Sequence, residues 1–295
     1  MKPIIPLLCA ALLGLYLPPA QAAVTVDSLN YPVWVERGSN NLPLAPGDSL
    51  RAGDVVQTGA TGRVWLEVDD GSVIKLGQDA RFAIEQAAFS EESGATVLDA
   101  AFDVLKGAFR FTSKFFQPKR RAVHRLDFTV GAVTAGIRGT DIWGLSSDAE
   151  DFVALLEGRI EVSSAGQAPQ LLEQPLSLYR KADGQPADPV TLVDMATVEA
   201  LAPQTELDPS AGVADTIGNY GLVLQSLSDP GNVDAALQRY RSDGYAVRAR
   251  NVEVNWLTVT RIQLEGLVHL ESANNLRRAM IEAGVIDDAW VNPIR

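Results

Sequence analysis

Cysteine occurs once in the 295-residue chain, as Cys9, inside the apolar N-terminal stretch. The rest of the chain therefore has no thiol nucleophile, no disulfide and no thiolate metal ligand. Histidine is nearly as scarce. His124 and His269 stand far apart, and neither belongs to an H-E-x-x-H or similar metal-binding pattern. No G-x-S-x-G nucleophile elbow occurs. The carboxylate pairs Asp69-Asp70 and Glu91-Glu92 fall in turn-like segments, and nothing marks either as the raised-pKa acid of a cleft. The expectation is a chain with no catalytic residue, no metal and no cofactor.

Positive charge is also in short supply. Lys and Arg total 25 against 37 acids, a formal net charge of −12. Nucleic-acid binding draws on clustered cations, so nucleic acid is not expected as a partner. Residues 216–295 hold eight arginines, nine acids and no lysine, which also excludes a basic RNA-binding sheet. The one basic run, Lys119 to Arg125, reads as a solvated loop. Long apolar runs are absent after Leu17. The N-terminus has Lys2, an apolar stretch from Ile4 to Leu17 broken by Pro6, then Pro18-Pro19 and Ala20-Gln21-Ala22. That is the layout of a cleavable secretory signal over residues 1–22. Leu7 and Leu8 precede Cys9 where a lipoprotein signal has small residues, so lipidation is not expected. The expected location is the periplasm, with no stable membrane span after cleavage.

What the chain does have, over residues 23–193, is a dense series of short strand signals. Val33-Trp34-Val35 and Val64-Trp65-Leu66-Glu67-Val68 alternate apolar and polar positions. Asp69-Asp70-Gly71 is a hairpin turn signal, and Ser72 to Leu76 returns. A helix is conceivable only in short stretches, near Ala95 to Leu105. The pattern predicts an all-β, sandwich-like domain. Several blocks then resemble the FecR-like periplasmic domain: Leu44 to Gly59, Gly62 to Leu66 running into Asp70-Gly71-Ser72, Leu105 to Phe111, Thr134 to Thr140, and Leu156 to Val162. In Gly136-x-Arg138-Gly139-Thr140 the glycines suit a tight strand crossing. Arg138 and Thr140 are the candidate partner-binding residues. The resemblance implies an interaction surface for another envelope protein. The best-known members sense signals across a membrane and control a sigma factor. Only Met1 to Pro3 precede the apolar stretch here, so a signalling role is expected only as an alternative.

Residues 194–219 read as a linker, with a short helix from Asp194 to Leu201 ended by Pro203, then a semi-flexible polar tether. Residues 220–295 read strand, helix, strand, strand, helix, strand. Val233, Ala236, Leu237 and Tyr240 share one helical face. Ser272 is expected to cap the second helix. Alternation places Gln225, Arg248, Arg250, Trp256, Thr258 and Thr260 on the sheet face away from the helices. Indole, amide, hydroxyl and guanidinium groups together suit a sugar. The order, with Leu224 to Leu227, Gly244-Tyr245, Trp256 to Val259 and Ala289-Trp290-Val291, resembles the SPOR (sporulation-related repeat) domain. That resemblance implies a ferredoxin-like α+β module binding peptidoglycan glycan strands stripped of stem peptides, with Gln225 and Trp290 on the binding face. Thr258 stands where the family commonly has arginine. The expectation is thus a non-catalytic envelope protein anchored on glycan. A FecR-type regulator and a cryptic glycan-cleaving enzyme are the alternatives.

Overall fold

The computed structural model describes residues 24–92, 95–113, 122–137 and 139–294. The expected leader, Lys119 to Arg121 and Arg138 lie outside the described residues, as do the side chains of 122–125. Among the described residues no helix is long and apolar enough to cross a membrane.

The first part of the chain is two packed β-sheets that share a strand. In one sheet, Val24–Asn30 pairs with Arg63–Val68, which pairs with Val73–Leu76. The Gly107–Thr112 end of the long Ala95–Thr112 strand is next, then Asp141–Ser146, Glu150–Glu157 and Ser177–Ala182. The other end of the long strand joins the second sheet, between Arg81–Glu92 and Ala122–Val130. The change of sheet falls at Gly107, whose φ is +91°. A Cβ there would lie 2.7 Å from the Ala80 backbone, so only glycine permits the crossing.

Residues 95–105, the stretch open to a helix in the sequence, are strand. Ala100, Phe102 and Val104 are fully buried, and that is a period of two, not 3.6. Phe102 meets Phe82 and Phe128, and Phe109 and Phe111 stack around Phe128, with ring centres 5.0 to 5.6 Å apart. This aromatic cluster fills the space between the sheets. The hairpin at Asp69-Asp70-Gly71 forms as its sequence predicts, with Gly71 at φ +84° and Asp70 accepting from the Ser72 N–H.

The C-terminal part runs Tyr220–Leu227, helix α2 (Val233–Ser242), Arg248–Val254, Leu257–Leu267, helix α3 (Leu270–Glu282) and Trp290–Pro293. Its strands line up as fourth, first, third, second, every neighbour antiparallel. Leu222, Ile262 and Leu264 bury one face of the sheet with Ala236 and Tyr240 of α2 and Ala273, Leu276 and Met280 of α3. Ser272 does not cap α3. The helix starts at Leu270, and Ser272 is buried in its first turn.

The stretch 194–219 is not a tether. Helix α1 (Met195–Leu201) forms with Asp194 as its N-cap, and the chain beyond it packs on its neighbours. Thr205 is fully buried, and its carbonyl accepts from the Trp65 indole at 3.2 Å. Glu206 meets Lys75 at 2.7 Å and Arg110 at 3.8 Å. Ala214 and Asp215 pair with Leu29 and Ser28, and Ala214 also pairs with Leu267. A sheet therefore passes from the first part of the chain into the second. Asn30 holds the turn beside it: its amide donates to the Asp208 and Gly212 carbonyls and accepts from the Asp208 N–H. Trp34 donates to the Ser242 carbonyl and covers Gly244, where a Cβ would sit 2.4 Å from the indole. The polar composition of 194–219 does not make it a tether, because the upstream side chains of Trp65 and Asn30 bond its backbone and Glu206 is spent on Lys75 and Arg110.

Candidate functional site on the C-terminal sheet

The sheet face away from α2 and α3 is the candidate site, but its membership differs from the one expected. The difference starts at a two-residue hairpin. Val254 pairs with Leu257, which leaves Asn255 and Trp256 as the turn, at φ +51° and +69°. Both positive values are those of a type I′ turn. Trp256 is therefore not the first residue of a strand. It stands at the hairpin tip and is 97% exposed.

That turn fixes the phase of the third strand. Residues directly opposite in an antiparallel pair share a face. Arg248 pairs with Gln263 and Arg250 with Arg261, whereas Thr258 pairs with Glu253 and Thr260 with Asn251. The threonines are thus on the helix side, with Ile262 and Leu264. Thr260 spends its hydroxyl on Asn251 at 2.9 Å. Gln225 is displaced as well. The ladder shifts register between Val223 and Gln225, so Gln225 sits opposite Ile262 and Ser226 takes the place opposite Arg261. Gln225 is half-buried on the helix side.

Arg248, Arg250 and Trp290 are on the outer face, and they are joined there by Arg261, Gln263 and Glu265. The Arg261 guanidinium lies 5.7 Å from the Trp290 ring centre, within cation–π range. Trp290 stays 42% exposed. Arg250 makes a two-point contact with Glu265 at 2.7 and 2.8 Å, Gln263 donates to the same carboxylate at 2.8 Å, and Arg248 approaches it at 3.8 Å. The hydrogen bond from Arg250 is the main reason the Glu265 carboxyl is held below the usual range. Towards the tip the face turns apolar: Val252 pairs with Val259, and Val254 and Leu257 are 40% and 68% exposed. The site is a strip running from a cation-covered indole, over an arginine–carboxylate cluster, to an apolar tip crowned by Trp256. Arg261, Gln263 and Glu265 were legible only if Asn255-Trp256 had been read as a turn.

The other candidate, around Thr140, does not present a surface. Thr140 is 3% exposed, and its N–H donates to the Ser113 hydroxyl. Gly139, at φ +66°, brings the chain against Gly158, where a Cβ would meet the Gly139 carbonyl at 2.3 Å. The block is a close strand crossing, in which position 158 has no room for a side chain. Among the described residues no group of three or more His, Asp or Glu side chains is placed to hold a metal ion.

Residues 54–161 match the family model described as FecR protein. The chain therefore carries a FecR domain, which spans the aromatic core and the Gly139–Gly158 crossing. Two crystal structures of a candidate anti-sigma factor from Parabacteroides distasonis are similar at 11% identity. One covers 68% of this chain and 95% of its own, with a TM-score of 0.36. The other covers 69% and 96%, with a TM-score of 0.38. No curated protein matches the chain.

Proposed function

We propose that this chain is a non-catalytic FecR-type regulator of the bacterial envelope, acting by binding another protein through the tip of its C-terminal sheet. The observation that carries the reading is Trp256. A tryptophan held at φ +69° costs about 1–2 kcal/mol of backbone strain relative to a favoured region, and its ring gains no packing in return, since it is 97% exposed. Glycine is the natural residue at that point of a type I′ turn. A side chain kept where folding disfavours it points to a use outside the fold. The FecR domain supports a regulatory role, and the shared sheet gives a rigid route from the tip to that domain.

The test has two readings. A photoreactive phenylalanine analogue at Leu257 is expected to give one dominant adduct with an envelope protein in living cells. Deleting the protein is expected to shift the transcripts of one sigma-factor regulon, and Trp256→Gly to reproduce that shift. An unchanged transcriptome on deletion overturns the regulatory reading.

A second reading rests on the other end of the strip. Trp290 beneath Arg261, on the outer face of a four-stranded sheet with two helices behind it, supports peptidoglycan glycan binding by a SPOR-like, ferredoxin-like module. A sugar ring stacks on an indole, and guanidinium and amide groups bond its hydroxyls. The loss of Gln225, Thr258 and Thr260 from the face weighs against it. Co-sedimentation with amidase-treated sacculi, reduced by Trp290→Ala, is the outcome this reading requires. Muropeptide release on long incubation would contradict the non-catalytic part of both.

A further inference from the structure

The FecR-domain sheet that carries Trp65, Lys75 and Arg110 has a hollow on its outer face, with charge in the wall. Those three residues form one row across three neighbouring strands. Residues two apart along a strand share a face, so the next row is Arg63, Gly77 and Ala108. Leu145 extends it as the partner of Ala108. The first row is covered, since Glu206 holds both Lys75 and Arg110. The second row has no side chain at Gly77 and only a methyl at Ala108. The chain crosses close over Gly77, where a Cβ would lie 2.6 Å from the Gln204 carbonyl. Beside that crossing is a cavity of about 420 Å³, with Arg63, Asp79, Lys106, Ala108, Leu145 and Pro203 in its wall.

The cations of the two rows differ in what they hold. Lys75 meets Glu206, and Arg110 meets Asp141, each at 2.7 Å. Arg63 and Lys106 make no hydrogen bond or ion pair with any described residue. Arg63 is half-buried, and its Nε is sealed without a partner. Its two terminal nitrogens are not sealed, and they bond no protein atom either. A guanidinium so enclosed normally has an acceptor. Asp208 feels the Arg63 charge but gives its carboxylate to Ser210. Asp79 is the one acid of the wall, is exposed, and bonds neither cation. In a chain of net charge −12, two cations left without acids in one wall mark a place for an anion from outside.

We propose that this hollow binds a small carboxylate with an apolar body. The carboxylate takes the two terminal nitrogens of Arg63, whose planar fork fits it, and Lys106 adds a second positive charge. The body lies on Ala108, Leu145 and Pro203. The wall admits a single anionic group, because Asp79 repels a second. The site does not depend on what binds at Trp256.

Hydrocinnamate and hydrocinnamamide are matched probes, alike in shape and different in charge. Calorimetric titration of the chain is expected to show saturable binding of the carboxylate. The amide is expected to bind about ten- to hundredfold more weakly, as the loss of a charge-assisted bond implies. Inorganic phosphate, which leaves the apolar floor uncovered, is expected to compete only weakly. Lys106→Gln alters an exposed side chain that bonds nothing, so it keeps the fold and weakens the carboxylate about two- to fivefold. Asp79→Asn is expected to tighten it by a similar factor, and asparagine tolerates the φ of +51° there. Neither change is expected to alter binding of the amide. Arg63→Gln is expected to abolish the preference for the carboxylate; if that variant does not fold, the opposite signs of the other two still decide. Backbone amide shifts on titration are expected at Gln78, Gly107 and Ser147, which line the hollow. The proposal is overturned if the two probes bind alike, if phosphate competes as well as hydrocinnamate, if Lys106→Gln and Asp79→Asn change the affinity in the same direction or not at all, or if the shifts fall elsewhere.

Discussion

Asn30→Ala tests whether the two parts of the chain are one folded body. Asn30 is fully buried, at the end of the strand that pairs with Ala214 and Asp215. Its side chain makes three hydrogen bonds, at 3.0, 2.9 and 2.8 Å, all to the backbone of Asp208 and Gly212. Alanine would leave the Gly212 carbonyl and the Asp208 N–H without their partner and take one of two donors from the Asp208 carbonyl, which keeps the Ala211 N–H. At about 1 kcal/mol net for each bond, the cost is about 3 kcal/mol. That cost is local, because every partner lies in the segment docking the C-terminal sheet. Native-state hydrogen exchange should therefore speed up by roughly a hundredfold at 205–215 and along Tyr220–Leu227. The amides around Phe128 and Phe109 should keep their protection. Exchange at 205–215 equal to that of the unaltered chain would mean that the Asn30 contacts do not hold this segment. An equal loss everywhere would mean that the docking is not a separable unit.

Gly158→Ala should lower the melting temperature steeply or prevent folding, since φ is +92° and the new Cβ would meet the Gly139 carbonyl at 2.3 Å; a cost of about 3 kcal/mol or more is expected in chemical denaturation. Trp256→Gly should leave thermal stability unchanged or raise it by about 1 kcal/mol, because glycine removes the strain at a residue that packs on nothing; a clear loss of stability would end the case for a functional tryptophan. Glu265 sets a pH dependence. Its folded pKa lies below the unfolded value, so its contribution is present above about pH 4.3 and is lost as pH falls through the depressed value. Melting curves from about pH 6 to 2 should therefore drop more steeply for the unaltered chain than for Glu265→Gln.

The strand pattern of the FecR domain was readable because each strand buries alternate residues, and Phe82, Phe102, Phe109, Phe111 and Phe128 are too large to sit anywhere but between two sheets. The tight block at Gly139-Thr140 was readable as a backbone feature, while the partner role given to Thr140 failed because a threonine in a close crossing is buried by it. The linker was misread for a related reason. A polar segment looks solvated in sequence, yet Asn30 and Trp65, both far upstream, supply hydrogen-bond partners for its backbone.

The candidate site exposes a sharper limit. A period of two assigns faces correctly only while the phase is known, and a shift of one residue moves every following side chain to the other face. Two local events set the phase here. Asn255 and Trp256 form the hairpin turn, which sends Thr258 and Thr260 towards the helices and Arg261 and Gln263 outward. The register shift before Gln225 turns that residue inward. Asn255 is a residue that tolerates positive φ, so half of the turn signal was present; the tryptophan beside it, at a place where glycine is usual, hid the other half. The residue that concealed the turn is one whose backbone placement is unfavourable and whose ring packs on nothing, and this is why the tip, rather than the expected row of threonines and glutamine, is the stronger candidate for binding.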